Sequence, residues 1–358
     1  MQERLLAPRV LHYTRNSAIW ECNTLTSCEC QPGKSIALPS SLSLSTFGPS
    51  NIKKEYFSTV TWKSDAAPAW QCWRWIIQDF TDRGISFDKD RLPALSGVAG
   101  RFQSSGGVYL GGLWGNDMPL ALLWFSLRSR PGRRPSPPAP LPPTWSWASV
   151  EEAQLSWPAD VRPAMKAFSR VVSASTSPTT ADKFGTVSGG VVVLEGRLLV
   201  AYIPTDFVTR NSRGQVRYHL CWCESLAEFI PDVDILTGID ACVAGDKLHC
   251  FRVTETYGLV LKPVRPPAVA ADSPDPSQRK TKRNMSWDSL RRVLSRTPSD
   301  SVVPQECPIL QTEGMPTYTR LGFLKYNTQR GTGKVDVEEM SGFAVGFEDV
   351  EDTRIVVI

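Results

Sequence analysis

Hydrophobic residues recur with helical spacing in the first third of this chain. Between residues 69 and 82 the apolar side chains follow the pattern i, i+3, i+4, i+7, which predicts an amphipathic helix with one buried face. Pro68 precedes the segment and Gly84 follows it, as at the two ends of many helices. The residues of the predicted buried face are Trp73, Ile76, Ile77 and Phe80.

Two further helices are predicted downstream. The first has Asp88 or Asp90 as its expected N-cap and carries an apolar face of Leu92, Leu95, Ala99 and Phe102. The second has Asn116 or Asp117 as its expected cap, and its residues 120–127 are apolar nearly all round. A helix of that composition is expected to be buried on most sides.

Strand patterns occupy both ends of the chain. Residues 2–7 predict the last turns of a helix that Pro8 ends, and residues 10–13 with 18–22 predict a β-hairpin. Residues 144–149 alternate large and small side chains, which predicts a strand with both tryptophans on one face. β-Branched and aromatic residues dominate after residue 190 and predict strands at 191–194, 197–203, 217–222, 248–253, 257–261 and 318–326, with a helical turn at 225–229.

Together these patterns predict an α+β fold. An N-terminal hairpin and helical unit precede a mainly antiparallel β-rich unit, built as a sheet or a partly closed barrel, that carries a disordered insertion. Proline and arginine dominate residues 128–143, which predicts an exposed connection. The predicted segments are 1–30 (helix end and hairpin), 31–127 (helical region), 128–143 (connection), 144–262 with 305–358 (β-rich unit) and 263–304 (insertion).

Composition supports a soluble protein of 358 residues. Hydrophobic residues make up 41% and charged residues 21%, which is typical of globular chains. The longest apolar stretch, at 119–127, is shorter than the roughly 18–20 residues of a bilayer span, and the N-terminus has no signal-peptide pattern. Nine scattered cysteines favour reduced thiols over a disulfide framework, so a cytoplasmic location is expected.

The net charge of +4 is concentrated in the predicted insertion. Residues 263–304 hold eight Lys/Arg against four Asp/Glu, which leaves 32 against 32 elsewhere. A short basic helix is predicted at 286–296, and the functional alternatives are a regulated partner motif, a nuclear-import signal at 279–283, or a phosphorylation site near Ser295, Thr297 and Ser299. A nucleic-acid-associated regulator that uses residues 279–296 is a further alternative. A solvated insertion is the favoured interpretation, and direct nucleic-acid binding is not expected.

Catalytic motifs are absent from the sequence. The three histidines, His12, His219 and His249, lie outside any nucleophile, phosphate-binding or metalloprotease motif. Residues 28–30 (CEC) and 219–223 (HLCWC) offer zinc ligands, but small buried thiols explain them better. No cofactor or metal is therefore expected. The enzymatic alternative requires His219 or His249 to meet an acidic side chain in a cleft between the two units.

Several motifs taken in order resemble the fungal heterokaryon-incompatibility (HET) family. Residues 2–13 (QERLLAPRVLHY) followed by 20–22 (WEC) are similar to the end of the HET domain and its exit hairpin. Further motifs follow at 73–76 (WRWI), 80–83 (FTDR), 90–99 (DRLPALSGVA), 109–114 (YLGGLW), 122–124 (LLW) and 143–149 (PTWSWAS). The motif residues, all expected to be structural, are Gln2, Glu3, Arg4, Leu5, Arg9, Trp20, Cys22, Trp73, Asp90, Leu92, Ala94, Gly97, Trp114, Trp124, Trp145 and Trp147.

The resemblance implies a role in non-self recognition that triggers cell death through protein contacts. It places residues 1–30 at the C-terminal edge of a HET domain whose remainder would lie upstream of Met1, so a truncated form is expected and no family active-site residue is carried over. The expected partner is an incompatibility protein or the missing HET domain. Without that domain, Leu5, Leu6, Val10, Leu11, Ile19 and Trp20 are expected to be partly exposed.

Overall fold

The computed structural model describes most of the chain. The described residues are 1–32, 34, 49, 51–61, 66–83, 85, 87–127, 132–135, 141–162, 165–205, 207–210, 216–222, 225–238, 240–264, 315–326 and 350–358. The predicted insertion therefore lies, apart from residues 263 and 264, outside the described residues. Met1–Pro263 and Gly314–Ile358 belong to one compact unit.

The N-terminal segment forms a short helix and a three-stranded antiparallel sheet. Helix α1 (Gln2–Leu6) ends before Pro8, and strands β1 (Arg9–Tyr13), β2 (Ala18–Cys22) and β3 (Thr26–Cys28) lie in the order β1-β2-β3. The predicted helix end and hairpin are confirmed. Helix α2 (Ile52–Thr61), which the apolar pattern did not predict, follows.

The predicted amphipathic helix is confirmed as α3 (Ala66–Thr81), whose apolar face is buried. The second predicted helix is α4 (Pro93–Gly106), but its expected caps are wrong. Asp88–Asp90 form a separate 3-10 turn, and Leu92 takes the N-cap position without a side-chain hydrogen bond. The Asp88 carboxylate instead lies 3.3 Å from the Arg91 guanidinium.

The third predicted helix does not form. Its residues make 3-10 turns at Gly115–Asp117 and Leu120–Leu122 and the short strand β6 (Phe125–Ser126), which pairs with β7 (Leu155–Ser156). Just before this segment, strands β4 (Tyr109–Leu110) and β5 (Leu113–Trp114) pair with each other. The Arg320 guanidinium donates to the backbone carbonyls of Leu122 and Trp124. A distant side chain thus satisfies acceptors that a helix would have paired internally.

The predicted strand at 144–149 is also wrong. Trp147–Ser149 form a 3-10 turn, and the Ser146 hydroxyl accepts a hydrogen bond from the Ala148 N–H at 3.1 Å. Both Trp145 and Trp147 are fully buried. The alternation of large and small residues therefore reflects burial of two indoles in a turn, since a capping serine competes with extended backbone.

The second half of the chain forms one large sheet. Its strands are β8 (Arg170–Pro178), β9 (Val187–Tyr202), β10 (Val208–Arg210), β11 (Val216–Trp222), β12 (Ser225–Pro231), β13 (Lys247–Arg252), β14 (Tyr257–Pro263), β15 (Thr317–Lys325) and β16 (Asp352–Val357). All pairings are antiparallel except β15 with β16. The predicted strands are confirmed, except that those at 191–194 and 197–203 are parts of one continuous strand, β9. The predicted helical turn at 225–229 is wrong because β12 pairs there with β11 and β15.

The sheet curls into a partly closed barrel. Its order is β10-β11-β12-β15-β14-β13-β9-β16, with β8 on β9, and β11 returns to pair with β9 at Cys221 and Tyr202. Small and apolar side chains fill the ring, among them Ala201, Leu220, Phe229, Cys250 and Leu324. The chain is therefore α+β, with its strands mostly antiparallel.

One hydrophobic core joins the helical region to the sheet. It contains the apolar face of α3 and α4 together with side chains of β9, β14 and β16. The described part of the predicted connection is not wholly exposed, because Gly132 is buried and bridges to Val233 while Arg133 bridges to Glu151. No helix among the described residues has the length and apolar character needed to cross a membrane.

Candidate functional site

Charged residues of the N-terminal motif meet beneath the hairpin. Arg4 on α1 donates from Nη2 to Glu21 Oε1 at 2.6 Å and from Nε to Glu21 Oε2 at 2.8 Å. His12 Nε2 lies 2.9 Å from Glu21 Oε2, and Arg4 Nη1 lies 3.5 Å from Asp79 Oδ2 on α3. We call Arg4, His12, Glu21 and Asp79 the hairpin charge cluster. It ties β1 and β2 to α1 and α3.

The two central charges of this cluster stabilise each other. Burial by itself raises the pKa of Glu21, but the hydrogen bonds and charge of Arg4 outweigh it and hold the pKa of that carboxyl below its usual range. Burial likewise lowers the pKa of Arg4, and the bidentate contact with Glu21 reverses this effect and raises it. Both groups are therefore ionised at neutral pH, and the cluster acts as a fixed support.

Helix α1 is held at both ends by polar contacts. The buried Lys53 ammonium on α2 donates to the carbonyls of Arg4 and Ala7 at the C-terminal end of α1, where carbonyl groups lack helical partners. At the other end, Gln2 Oε1 accepts a hydrogen bond from the Gly97 N–H on α4 at 3.2 Å. A Cβ at Gly97 would lie 2.7 Å from Gln2 Nε2, so a larger residue there would displace the Gln2 amide from this contact.

The motif tryptophans other than Trp20 form a buried scaffold. Trp73 Nε1 and Trp147 Nε1 both donate to the Gly112 carbonyl at 3.0 Å, and Trp124 Nε1 donates to the Trp145 carbonyl at 3.0 Å. Trp73 packs edge-on against Trp114 with ring centroids 5.9 Å apart. The indoles thus contact one another and backbone groups, which is the arrangement of a core.

The remaining motif residues lie at several places. Leu5 and Leu92 are buried, Ala94 and Cys22 are half-buried, and Glu3, Arg9 and Asp90 are exposed. Sequence reasoning missed Lys53 and Asp79, because nothing in their local sequence shows that α1 and the hairpin dock on them. The one local signal that could have pointed to Asp79 is its i, i+4 spacing with Arg83 in α3.

The opposite side of the hairpin is apolar and exposed. Leu11, Tyr13 and Trp20 are 47%, 83% and 39% exposed, and Leu11 lies directly across from Trp20 in the strand register. We call these three residues the hairpin outer face. The expected exposure of Leu6, Leu11 and Trp20 is confirmed, and Val10 is half-buried, whereas the expectation for Leu5 and Ile19 is wrong because both are buried.

The two histidines of the enzymatic alternative are held by other contacts. His249 packs edge-on against Tyr318 with ring centroids 5.0 Å apart, and burial followed by the Lys247 charge lowers its pKa. His219 Nε2 lies 2.8 Å from the Thr209 hydroxyl on the neighbouring strand. His12, which sequence reasoning did not single out, is the histidine that contacts the carboxylate of Glu21.

The cysteines divide between one disulfide and several thiols. Cys28 and Cys30 form a disulfide, so the expectation of reduced thiols is wrong at this place. Cys72 and Cys250 are buried thiols whose pKa values are raised by burial, to about 12 for Cys72. The side chains of Cys221 and Cys223 lie outside the described residues. Within the described part of the chain, no group of three His, Cys, Asp or Glu side chains is placed to hold a metal ion.

Comparisons with protein-family models, with curated proteins and with solved structures found no match to this chain.

Proposed function

We propose that this protein acts through protein–protein contacts in fungal non-self recognition, as its motif resemblance to the HET family implies, and that the hairpin outer face is its contact surface. One observation carries the proposal. Three large apolar side chains are exposed side by side on a hairpin whose other side is anchored by the hairpin charge cluster.

Rigid, exposed aromatic groups are typical centres of protein interfaces. They bury a large area on binding and lose little conformational entropy, and tyrosine and tryptophan are enriched among the residues that dominate binding energy. The bidentate Arg4–Glu21 contact limits the motion of the strands that carry Leu11, Tyr13 and Trp20. The surface is therefore preorganised for a partner.

Charge around the hairpin outer face defines the chemistry of that partner. Arg9, Leu11 and Tyr13 occupy every second position of β1 and therefore lie on the same side of the strand. Arg15 is exposed in the turn that follows. A complementary surface has an apolar pocket for the ring of Trp20 and carboxylates at its edge. The proposed occupant is a folded protein domain of this kind.

Growth arrest in a fungal host tests the proposal. Expression of the wild-type chain is expected to arrest growth, and the variants Tyr13→Ser and Trp20→Ser are expected to abolish the arrest because they remove the apolar contact. The matched control is Tyr202→Ser, which removes an exposed aromatic ring from β9 at a distant sheet position. Circular dichroism of the purified variants verifies that they are folded.

Two outcomes contradict the proposal. Either the wild-type chain leaves growth unaffected, or the arrest persists in both hairpin variants while they remain folded. The alternative of a nucleic-acid regulator concerns residues 279–296, which lie outside the described residues, and it stays a prediction of the sequence.

A further inference from the structure

The Cys28–Cys30 disulfide lies at the end of β3 and spans a single residue. Cys28 is 4% exposed, while Cys30 is exposed in the turn that follows the strand. In the chain-entropy account, a disulfide stabilises a fold by closing a loop in the unfolded chain, and the stabilisation grows with the length of that loop. A ring that contains only Glu29 between the two cysteines is therefore a weak support for the fold.

Other contacts hold this segment in place without the disulfide. The Glu29 N–H donates to the Ala18 carbonyl at 3.1 Å, and the Ala18 N–H donates to the Glu29 carboxylate at 2.8 Å. Strand β3 is also paired with β2 through Cys28 and Ile19. None of these contacts involves a sulfur atom, so the backbone is expected to remain paired with β2 when the S–S bond is reduced.

The two sulfur atoms differ in access and in hydrogen bonding. The exposed Cys30 can be approached from solvent, whereas the Cys28 Sγ accepts a hydrogen bond from the Cys30 N–H at 3.2 Å. A hydrogen-bond donor stabilises a thiolate, and disulfide exchange is faster when the departing sulfur is a stabilised thiolate. The arrangement suits attack on Cys30 with departure of Cys28.

We propose that Cys28–Cys30 is a reversible thiol–disulfide exchange site whose co-reactant is a dithiol. One thiolate of the dithiol attacks Cys30 Sγ, the Cys28–Cys30 bond breaks, and Cys28 leaves as a thiolate that then takes a proton. The second thiolate of the dithiol attacks the mixed disulfide and releases Cys30 as a thiolate, which is protonated in turn. The two cysteines are reduced by two electrons, and the dithiol is oxidised to its own disulfide.

Cys22 belongs to the same sheet but does not take part in this exchange. Strand residues alternate between the two sides of a sheet, so Cys22 shares the side of Trp20, whereas Cys28 pairs with Ile19 and shares the other side. Burial raises the pKa of the Cys22 thiol, but hydrogen bonds from Thr24 and its neighbours lower it to about 7. Cys22 therefore serves as an internal reference thiol.

Mass spectrometry of the full chain tests the exchange. The tryptic peptide of residues 16–34 contains Cys22, Cys28 and Cys30 and no internal lysine or arginine. The native protein is treated with dithiothreitol, quenched with acid and alkylated in guanidinium. One alkylated cysteine is expected before reduction and three after it, and the half-time is expected to lie within about tenfold of that of the guanidinium-unfolded chain, because Cys30 is accessible in the folded state.

Reversibility and stability complete the test. After removal of dithiothreitol, excess oxidised glutathione is expected to restore the disulfide in the folded protein, and reduction is expected to leave the circular dichroism spectrum unchanged. The matched variants Cys30→Ser and Cys250→Ser separate this pair from a buried thiol: the first abolishes the redox-dependent change of mass, and the second retains it. Any of three results overturns the proposal. The first is three alkylated cysteines without reductant, the second is reduction more than about a thousandfold slower than in the unfolded chain, and the third is unfolding on reduction.

Discussion

Glu21 shows what a single residue contributes once its surroundings are known. In the sequence it is one acidic position in a strand, and alternation alone does not reveal that its carboxylate is buried against Arg4, 17 residues away. Folding lowers its pKa, because the contact with Arg4 outweighs the cost of burial. The ionised form therefore stabilises the folded state above the unfolded pKa of about 4.3.

The substitution Glu21→Gln is expected to destabilise the protein by about 3 kcal/mol at pH 7, since it leaves the buried Arg4 without its charge partner. Below about pH 4 the difference between variant and wild type is expected to shrink, because the wild-type stabilisation is lost as the pH falls through the lowered pKa of Glu21. Urea unfolding of both proteins across this pH range measures the effect.

The substitution Glu3→Gln at an exposed position of the neighbouring helix α1 is the control, for which only a small change in stability is expected. A Glu21→Gln effect that stays constant from pH 7 to pH 3 contradicts the assigned ion pair.

At the scale of elements, local pattern and tertiary contact compete. The spacing of Trp73, Ile76, Ile77 and Phe80 predicts α3 correctly, because a strong helical period is a local property that the core accepts unchanged. The apolar run at 120–127 has no such period, so its local pattern does not fix its conformation. Contacts with Arg320 decide its backbone conformation instead. This guanidinium pairs with Asp232 at 2.7 Å, donates to two carbonyls of the run and lies 3.5 Å above the Trp124 ring.

Replacement of Arg320 by lysine is expected to cost about 3–5 kcal/mol, because a point-like ammonium cannot make the bidentate contact with Asp232 and both carbonyl contacts at once. Thermal unfolding measures the loss. The control is Arg354→Lys. Arg354 forms its ion pair with Glu195 at the protein surface, so little change in stability is expected. Equal stability losses in the two variants contradict the role given to Arg320.

At the scale of the molecule, the helical region and the barrel share one hydrophobic core. Leu95 on α4 and Leu259 on β14 are both fully buried within it. The sequence patterns placed these two residues in different predicted segments. The change from helical to strand spacing shows where the type of element changes, but it does not show which elements pack against each other. A shared core couples the unfolding of the two parts.

Scanning calorimetry is therefore expected to show a single unfolding transition for the described unit, with equal calorimetric and van't Hoff enthalpies. The variants Leu95→Ala and Leu259→Ala are each expected to destabilise it by about 2–5 kcal/mol and to shift that same transition. Two separable transitions, each shifted by only one of the variants, contradict the shared core.

The candidate site was predictable only in part. The motif residues Gln2, Arg4 and Trp20 were identified from the sequence, and the exposure of Leu11 and Trp20 was expected because the motif resemblance implies a domain that is missing here. The charge cluster beneath the hairpin was not predictable, because its members come from α1, β1, β2 and α3. Their meeting depends on packing between elements and leaves no mark in local spacing.

By itself the sequence determined the amphipathic helix, the hairpin and the strands β9, β11, β13, β14 and β15, because periodicity and β-branched composition act over a few neighbouring residues. The tertiary structure alone decided the 3-10 turns of the apolar and tryptophan segments, the strand at β12 and the return of β11 to β9. In the apolar segment and in the sheet, a group distant in sequence, such as Arg320 or a partner strand, satisfies the backbone hydrogen bonds. In the tryptophan segment, the buried indoles and the local Ser146 cap hold the turn. Burial then outweighs local preference, since an unpaired buried carbonyl costs more than a change of backbone conformation.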